Sequence, residues 1–388
     1  MKIWKIIAIV LAIVVVVIAV LFYLNSKPLL KNQAEMQIFK IVENSLNEKQ
    51  SIDAMMLYVD APQKGLSIKH AVGSANGKMV DTNTPFHVAS VGKLFTATLI
   101  GHLIDQEQLQ LDDPIHLYLD DDMITDLFVY EDVDYKDQIT IQQLLSHTSG
   151  IADYFAKEDN GLVETIYQSP DTFYTPQDLV QYTQKHQSAY FSPGEGYHYS
   201  DTGYILLGLI IESVSGKPFH EMLHEVIFDP LQMDDTYLML YSEPKNGKQP
   251  IVEIWIDGHE VSQNQSVSID WAGGGVISTL DDLAVYIRAL YQGHIISQDT
   301  LTTLNQFDYE FMPGIAYGNG FMQMQFEKFF PTLGFLPKMT GHMGILGTQL
   351  FYDKETDMVY VSSFGSSDAT SASVQAMIQI LSTIYRVE

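Results

Sequence analysis

PFHVASVGKLFTATLIGHL, residues 85–103, changes character at its middle. Phe86-His87-Val88-Ala89 suits an extended entry, and after Ser90 the apolar residues return at helical spacing. Ser90 therefore stands at a helix start. Lys93 follows three residues later, which on a helix puts both side chains on one face. A serine hydroxyl is a weak nucleophile until a neighbouring base takes its proton, and an amine held beside it is one such base. The four-residue pattern alone is common, and a capped surface helix reads the same way.

Two further stretches carry chemistry. Tyr199-Ser200-Asp201 lies in SPGEGYHYSDTGYILLGLIIE, residues 192–212, after a Pro193-Gly194 turn and at the start of a helix that Ser200 or Asp201 would cap. A tyrosine near Lys93 could carry protons between nucleophile and leaving group. His342-Met343-Gly344 lies in KMTGHMGILGTQLFY, residues 338–352, where glycines lead into a strand. A glycine-rich edge lets backbone N–H groups approach a substrate and supply an oxyanion donor. Taken singly, Tyr199 reads as a core tyrosine and His342 as a structural histidine.

Periodicity places helices near 32–48, 139–146, 176–186, 202–215, 217–227, 279–292 and 371–386. Strands are expected at Ala54–Val59, Leu66–Val72, across much of 236–262, and as a hairpin over 347–364. The acidic stretch 119–137 reads as solvated loop. Strands at both ends with helices between predict an α/β (α+β) domain whose sheet holds a helical insertion at roughly 120–260.

In order and separation these elements resemble the class C β-lactamase, D-peptidase and esterase family of serine hydrolases. Its S-x-x-K, Y-x-N and K/H-x-G elements correspond to Ser90/Lys93, Tyr199/Asp201 and His342/Gly344. LQLDDPI (109–115), ITIQQLLSHTSGI (139–151), VSGKPF (214–219), IFDPLQMDDTY (227–237) and WAGGGVISTLDDLAVYI (271–287) extend the likeness over roughly residues 50–365. The resemblance implies a β-lactamase/transpeptidase-like fold, a mainly antiparallel sheet flanked by helices. It implies an acyl-enzyme on Ser90, proton work shared by Lys93 and Tyr199, and an oxyanion hole from the N–H groups of Ser90 and Ile345. Asp201, His342 and Gly344 would line the substrate site, with no metal or organic cofactor. Asp201 departs from the family's asparagine: a carboxylate only accepts hydrogen bonds, and beside Lys93 it would favour the ammonium. His342 replaces the lysine usual in lactamases, which favours the peptidase and esterase branches.

The rest of the sequence bounds these expectations. Ile6–Leu24 is uncharged, and with Ile3 and Trp4 it reaches the length that crosses a bilayer. Residues 1–30 are therefore expected to be a signal anchor, single-pass, with residues 31–388 as an extracytoplasmic hydrolase domain. With 48 acidic against 21 basic residues, a formal net charge of −27, the chain repels nucleic acid. There is no cysteine, hence no thiol nucleophile or disulfide. The expected substrate is a small molecule, or peptidoglycan or another wall polymer, with a D-alanyl peptide or ester foremost.

Three other readings compete. His220-Glu221-Met222-Leu223-His224 matches the H-E-x-x-H zinc peptidase pattern, but EVIFDP (225–230) lacks the metzincin continuation. A non-catalytic membrane-tethered binding or sensor protein would keep the fold without the reaction. A true β-lactamase is the third. A Ser-His-Asp hydrolase lacks its G-x-S-x-G elbow, which leaves His147 as a structural loop histidine near the site.

Overall fold

The computed structural model describes residues 27–46 and 52–388. The expected span Ile6–Leu24 lies outside them, and among the described residues no helix is long and apolar enough to cross a membrane.

The frame is an antiparallel sheet of nine strands. In space they run Tyr309–Met312, Ile315–Tyr317, Met322–Met324, Met339–Met343, Gln349–Asp353, Met358–Ser363, Ala54–Ala61, Leu66–Ala75 and Lys78–Met79. The N-terminal hairpin thus pairs with the last strand, Val59 opposite Tyr360 and Ile68. Alternation along each strand gives the sheet two apolar faces. Met55, Leu57 and Val59 face one way, onto the helices Lys31–Leu46 and Thr370–Ile384. Lys31–Leu46 buries Ala34, Ile38 and Val42 in a single stripe, as the spacing of residues 32–48 predicts. Ala54, Met56, Val359 and Val361 face the other way, into a larger core built on the helices Gly92–Asp105, Asp201–Ser215 and Leu280–Tyr291.

Local chemistry sets the helix ends. Thr175 and Asp178 form a reciprocal capping box on Pro176–His186, and Thr140 and Gln143 do so on Ile141–Leu145. Asp201–Ser215 stops at Gly216, whose φ of 67° lies in the left-handed region that glycine enters without penalty.

The expected strands over 236–262 are corrected. Only the two-residue strands Tyr237–Leu238, Trp255–Ile256 and His259–Glu260 form there. Val252, Ile254 and Ile256 are still buried, but Pro244, Gly247, Pro250 and Gly258 break the backbone between them. The acidic stretch 119–137 is not all loop. It contains the turn of helix Asp121–Ile124 and a small hairpin pairing Val129–Tyr130 with Val133–Asp134.

Candidate active site

Ser90 sits in a 3₁₀ turn, Ala89–Val91, that feeds the helix Gly92–Asp105. Ala89 is held at φ 49°, a left-handed conformation costly for a residue with a side chain. The turn is fixed on both sides: Val88 N–H donates to Val276 O at 2.9 Å, and Ala89 N–H donates to His87 Nδ1 at 3.1 Å. The half-buried Ser90 side chain lies beside the Tyr199 phenol and eases its ionisation.

Lys93 lies one turn further on and is fully buried. Its ammonium donates to the Asp201 carboxylate and to Gly273 O at 2.9 Å. It also stands 5.0 Å from the ring centre of Tyr199 and 5.1 Å from that of Tyr204, within cation–π range. Glycines make this packing possible. A Cβ on Gly273 would meet Asp201 Oδ1 at 2.7 Å, and one on Gly274 would meet Ala89 C and O at 2.7 Å. The glycine run after Trp271 is therefore a wall of bare backbone pressed against the nucleophile turn.

Ser200 takes the N-cap position of Asp201–Ser215, but its hydroxyl donates to Ala152 O at 2.8 Å instead of capping. The first N–H groups find acceptors from the preceding loop: Ser200 N–H on His147 Nδ1 at 3.1 Å, Asp201 N–H on Asp153 Oδ1 at 3.0 Å. These bonds fix the turn that brings both Tyr199 and Asp201 to Lys93.

The strand Met339–Met343 carries the third element. Its exit touches the nucleophile turn so closely that a Cβ on Gly344 would lie 2.8 Å from Val88 O and 3.1 Å from Ser90 N. Glycine at 344 lets the strand exit, which leads directly into Ile345, approach the Ser90 N–H. Ile345 itself is 36% exposed. His342 is fully buried and does not open to solvent. Its Nδ1 faces Met343 O at 2.7 Å and so carries the proton, while Nε2 faces the Tyr317 hydroxyl at 3.2 Å. His147 Nδ1 accepts from Ser200, so its Nε2–H points at the same hydroxyl, 3.0 Å away. The chain runs His147 Nε2–H to Tyr317 Oη–H to His342 Nε2. Burial, then the Lys93 charge, pushes His342 down to about 3 and His147 well below its usual value, so both rings are neutral near pH 7.

Carboxylates crowd the floor. Asp153 and Asp270 are both pushed up to about 7, by burial first and the Asp201 charge second. Burial, then Asp201, also holds the Tyr199 phenol well above its usual value. Tyr199 therefore rests as a neutral phenol.

Ser90, Lys93, Tyr199, Asp201, His342, Gly344 and Ile345, far apart in the chain, are thus gathered at one place. Asp153, Asp270, Tyr204 and Tyr317 belong to the same cluster, and no spacing pattern singles them out. The only sequence signal was adjacency: Asp153 stands three residues after HTSG, and Asp270 directly precedes WAGGG. The zinc pattern is not gathered. His224 is engaged with Asp229 at 3.4 Å and Ser242 at 3.3 Å, and among the described residues no group of three His, Asp or Glu is arranged to hold a metal ion.

The chain is similar to known proteins. The Beta-lactamase family model matches residues 57–374. Penicillin-binding protein 4* of Bacillus subtilis is 32% identical over 200 residues, 50% of this chain and 39% of that protein. A putative D-alanyl-D-alanine carboxypeptidase of Salmonella agona is 23% identical over 312 residues, 73% of this chain and 69% of that protein. Among solved structures, the D-amino acid amidase from Ochrobactrum anthropi SV3 complexed with D-phenylalanine superposes with a TM-score of 0.75 at 22% identity. That match covers 91% of this chain and 99% of the amidase, and it speaks for the fold alone. With the matched model spanning most of its length, the chain belongs to the Beta-lactamase family of serine hydrolases.

Proposed function

We propose that this chain is a membrane-anchored, extracytoplasmic serine hydrolase that forms an acyl-enzyme on Ser90 and acts as a D-alanyl peptidase or esterase of the cell envelope. The observation that carries the reaction is the junction of Ser90, Tyr199 and Gly344. The nucleophile's hydroxyl lies beside the half-buried Tyr199 phenol, and glycine at 344 lets the strand exit press against the Ser90 N–H.

In this reading Ser90 Oγ attacks the carbonyl carbon. Its proton passes to Tyr199, which hands its own on to the leaving group. Full ionisation of Tyr199 is opposed by burial and by the Asp201, Asp153 and Asp270 charges, so the transfer is concerted. Lys93 lies across the phenol ring, where its positive charge offsets the negative charge that develops on the tyrosine oxygen. The N–H groups of Ser90 and Ile345 take the oxyanion, and water or another acceptor releases the acyl group. The uncharged run Ile6–Leu24 supports the anchor, and the relatives' names support the envelope substrate.

The test is hydrolysis of p-nitrophenyl acetate by the detergent-solubilised full chain. A burst followed by turnover is expected, lost in Ser90→Ala and indifferent to a chelator. Equal rates from a folded Ser90→Ala protein would remove Ser90 from the chemistry, and loss of rate with the chelator would restore the His220/Glu221/His224 reading.

A further inference from the structure

Far from Ser90, the segment that precedes the helix Lys31–Leu46 is tied to the last residues of the chain. Leu29 N–H donates to Arg386 O at 2.8 Å and Glu388 N–H donates to Leu29 O at 3.3 Å, so Leu29 and Val387 pair as in a parallel ladder. Lys27 O accepts from Arg386 Nε at 3.0 Å. Pro28, between them, is therefore fixed against the domain. The helices Lys31–Leu46 and Thr370–Ile384 begin and end at this spot.

An open groove of ≈ 790 Å³ lies here, within the size range of sites that take apolar small molecules. Ile41, Leu333, Phe335, Ile378 and Val387 are among its walls. Its surroundings are apolar and exposed too. Phe335 is 53% exposed, and its ring stands 6.4 Å from that of Tyr385, another wall. Phe330, 63% exposed, opens the turn Pro331–Leu333, and Leu30, 59% exposed, adjoins the clamped Leu29. Single exposed apolar side chains are ordinary, but two phenylalanines and a leucine beside one apolar groove make a patch. Cations gather at it although the whole chain carries −27. Arg386 lines the groove, Lys64 Nζ donates to Val387 O at 2.8 Å, and the Lys31 ammonium lies against Gly65, next to Lys64. Glu388 is the acidic side chain in the lining among the described residues.

The length of chain before Pro28 says what covers this face. If Ile6–Leu24 is the anchor, four peptide links join Leu24 to Pro28, a reach of at most roughly 14 Å. The headgroup layer is itself about 5–7 Å deep on each side. With Pro28 clamped, the groove face is held at the bilayer surface and its apolar rim leaves water there. We propose that this face is a membrane-docking surface: Leu30, Phe330 and Phe335 enter the boundary between headgroups and acyl chains, the groove takes a lipid acyl chain, and Lys31, Lys64 and Arg386 meet lipid phosphates. The proposal rests on the anchor reading above. It makes the domain a body seated on its bilayer, with the Ser90 site at one fixed height, instead of one swinging on a tether.

The chain has no cysteine, so single introduced labels are specific. Thr332→Cys puts an NBD fluorophore on the groove wall. Met79→Cys puts it on the strand paired with Ser74, roughly 25 Å along Leu66–Ala75 from the Gly65 end. Each labelled full chain is reconstituted in vesicles of phosphatidylcholine and phosphatidylglycerol. At 332, a nitroxide on the lipid acyl chain should quench more than one on the headgroup, and at 79 neither should quench. In the Phe330→Asp/Phe335→Asp variant the acyl-chain quenching should be lost while p-nitrophenyl acetate hydrolysis is unchanged. Persistence of that quenching in the variant would mean that the short tether alone holds the face near the membrane, and would overturn docking. Stronger quenching from the headgroup at 332, or none, overturns it too. In each of these cases a chain that still floats with the vesicles after alkaline carbonate leaves the anchor reading intact. A chain that does not float overturns the anchor and the docking surface together.

Discussion

Gly344→Ala tests how closely the strand and the nucleophile turn must approach. The new methyl would stand 2.8 Å from both Val88 O and Ala89 Cβ, and 3.1 Å from Ser90 N. Carbon contacts settle at roughly 3.5–4.0 Å, so the two segments must separate by roughly 0.7 Å. No side-chain rotation relieves this, because the opposing atoms are backbone or Cβ. Nor can the strand exit tilt freely, since Gly344 N–H is bonded to Thr348 O at 2.7 Å. The separation therefore falls between the Ser90 N–H and the strand exit that leads into Ile345. Loss of one oxyanion donor costs roughly 10²–10³ in kcat, and misplacement by 1 Å roughly 10². We expect kcat/KM for p-nitrophenyl acetate to fall about 100-fold, with stability reduced by only about 1–3 kcal/mol, the usual cost of overpacking. Stopped-flow bursts would separate slower acylation from loss of folded enzyme, and thermal unfolding gives the stability. A folded Gly344→Ala protein with kcat/KM within about threefold of wild type would refute the two-donor oxyanion hole.

Three further perturbations probe the floor of the site. Lys93→Met leaves Asp201 buried beside Asp153 and Asp270 without its cation, and should cost about 3–5 kcal/mol in urea unfolding; Lys93→Met combined with Asp201→Leu should recover most of that, and equal losses would count against a charge origin. Asp153→Asn keeps an oxygen to accept from Phe155 and Asp201, so it isolates the charge. Because the folded Asp153 is raised to about 7 from 3.8, folding takes up a proton between those values and wild-type stability falls as pH rises through them. Asp153→Asn should therefore gain on wild type at pH 8, by at most about 4 kcal/mol, and show no gain near pH 4; a pH-independent difference would contradict this assignment. Tyr317→Phe strands His147 Nε2–H and His342 Nε2 without their shared hydroxyl, and a loss of about 2–4 kcal/mol is expected; an unchanged unfolding midpoint would mean the hydroxyl does not join the two rings.

Most long elements were legible because their periodicity is strong and local. The helices Pro176–His186, Asp201–Ser215, Leu280–Tyr291 and Thr370–Ile384 lie within a residue or two of their expected bounds. The strands Tyr309–Met312, Ile315–Tyr317 and Met322–Met324 went unread, being three or four residues long and too short to display a period. Across 236–262 the apolar residues suggested strands, yet what buries them is tertiary packing of irregular backbone.

Residue chemistry picked out Ser90 with Lys93, Tyr199, and the glycine-rich edge at His342 and Gly344 as separate candidates, and the family resemblance joined them with Asp201 into one site. The family likeness added Ile345. Only the tertiary structure decided what those residues touch. It turned Asp201 onto Lys93, hid His342 behind Tyr317, and set Asp153 and Asp270 within reach of the same charge. A carboxylate's role depends on its burial and on the charges a few ångströms away, and those distances are set by loops and a glycine wall whose approach no sequence spacing records.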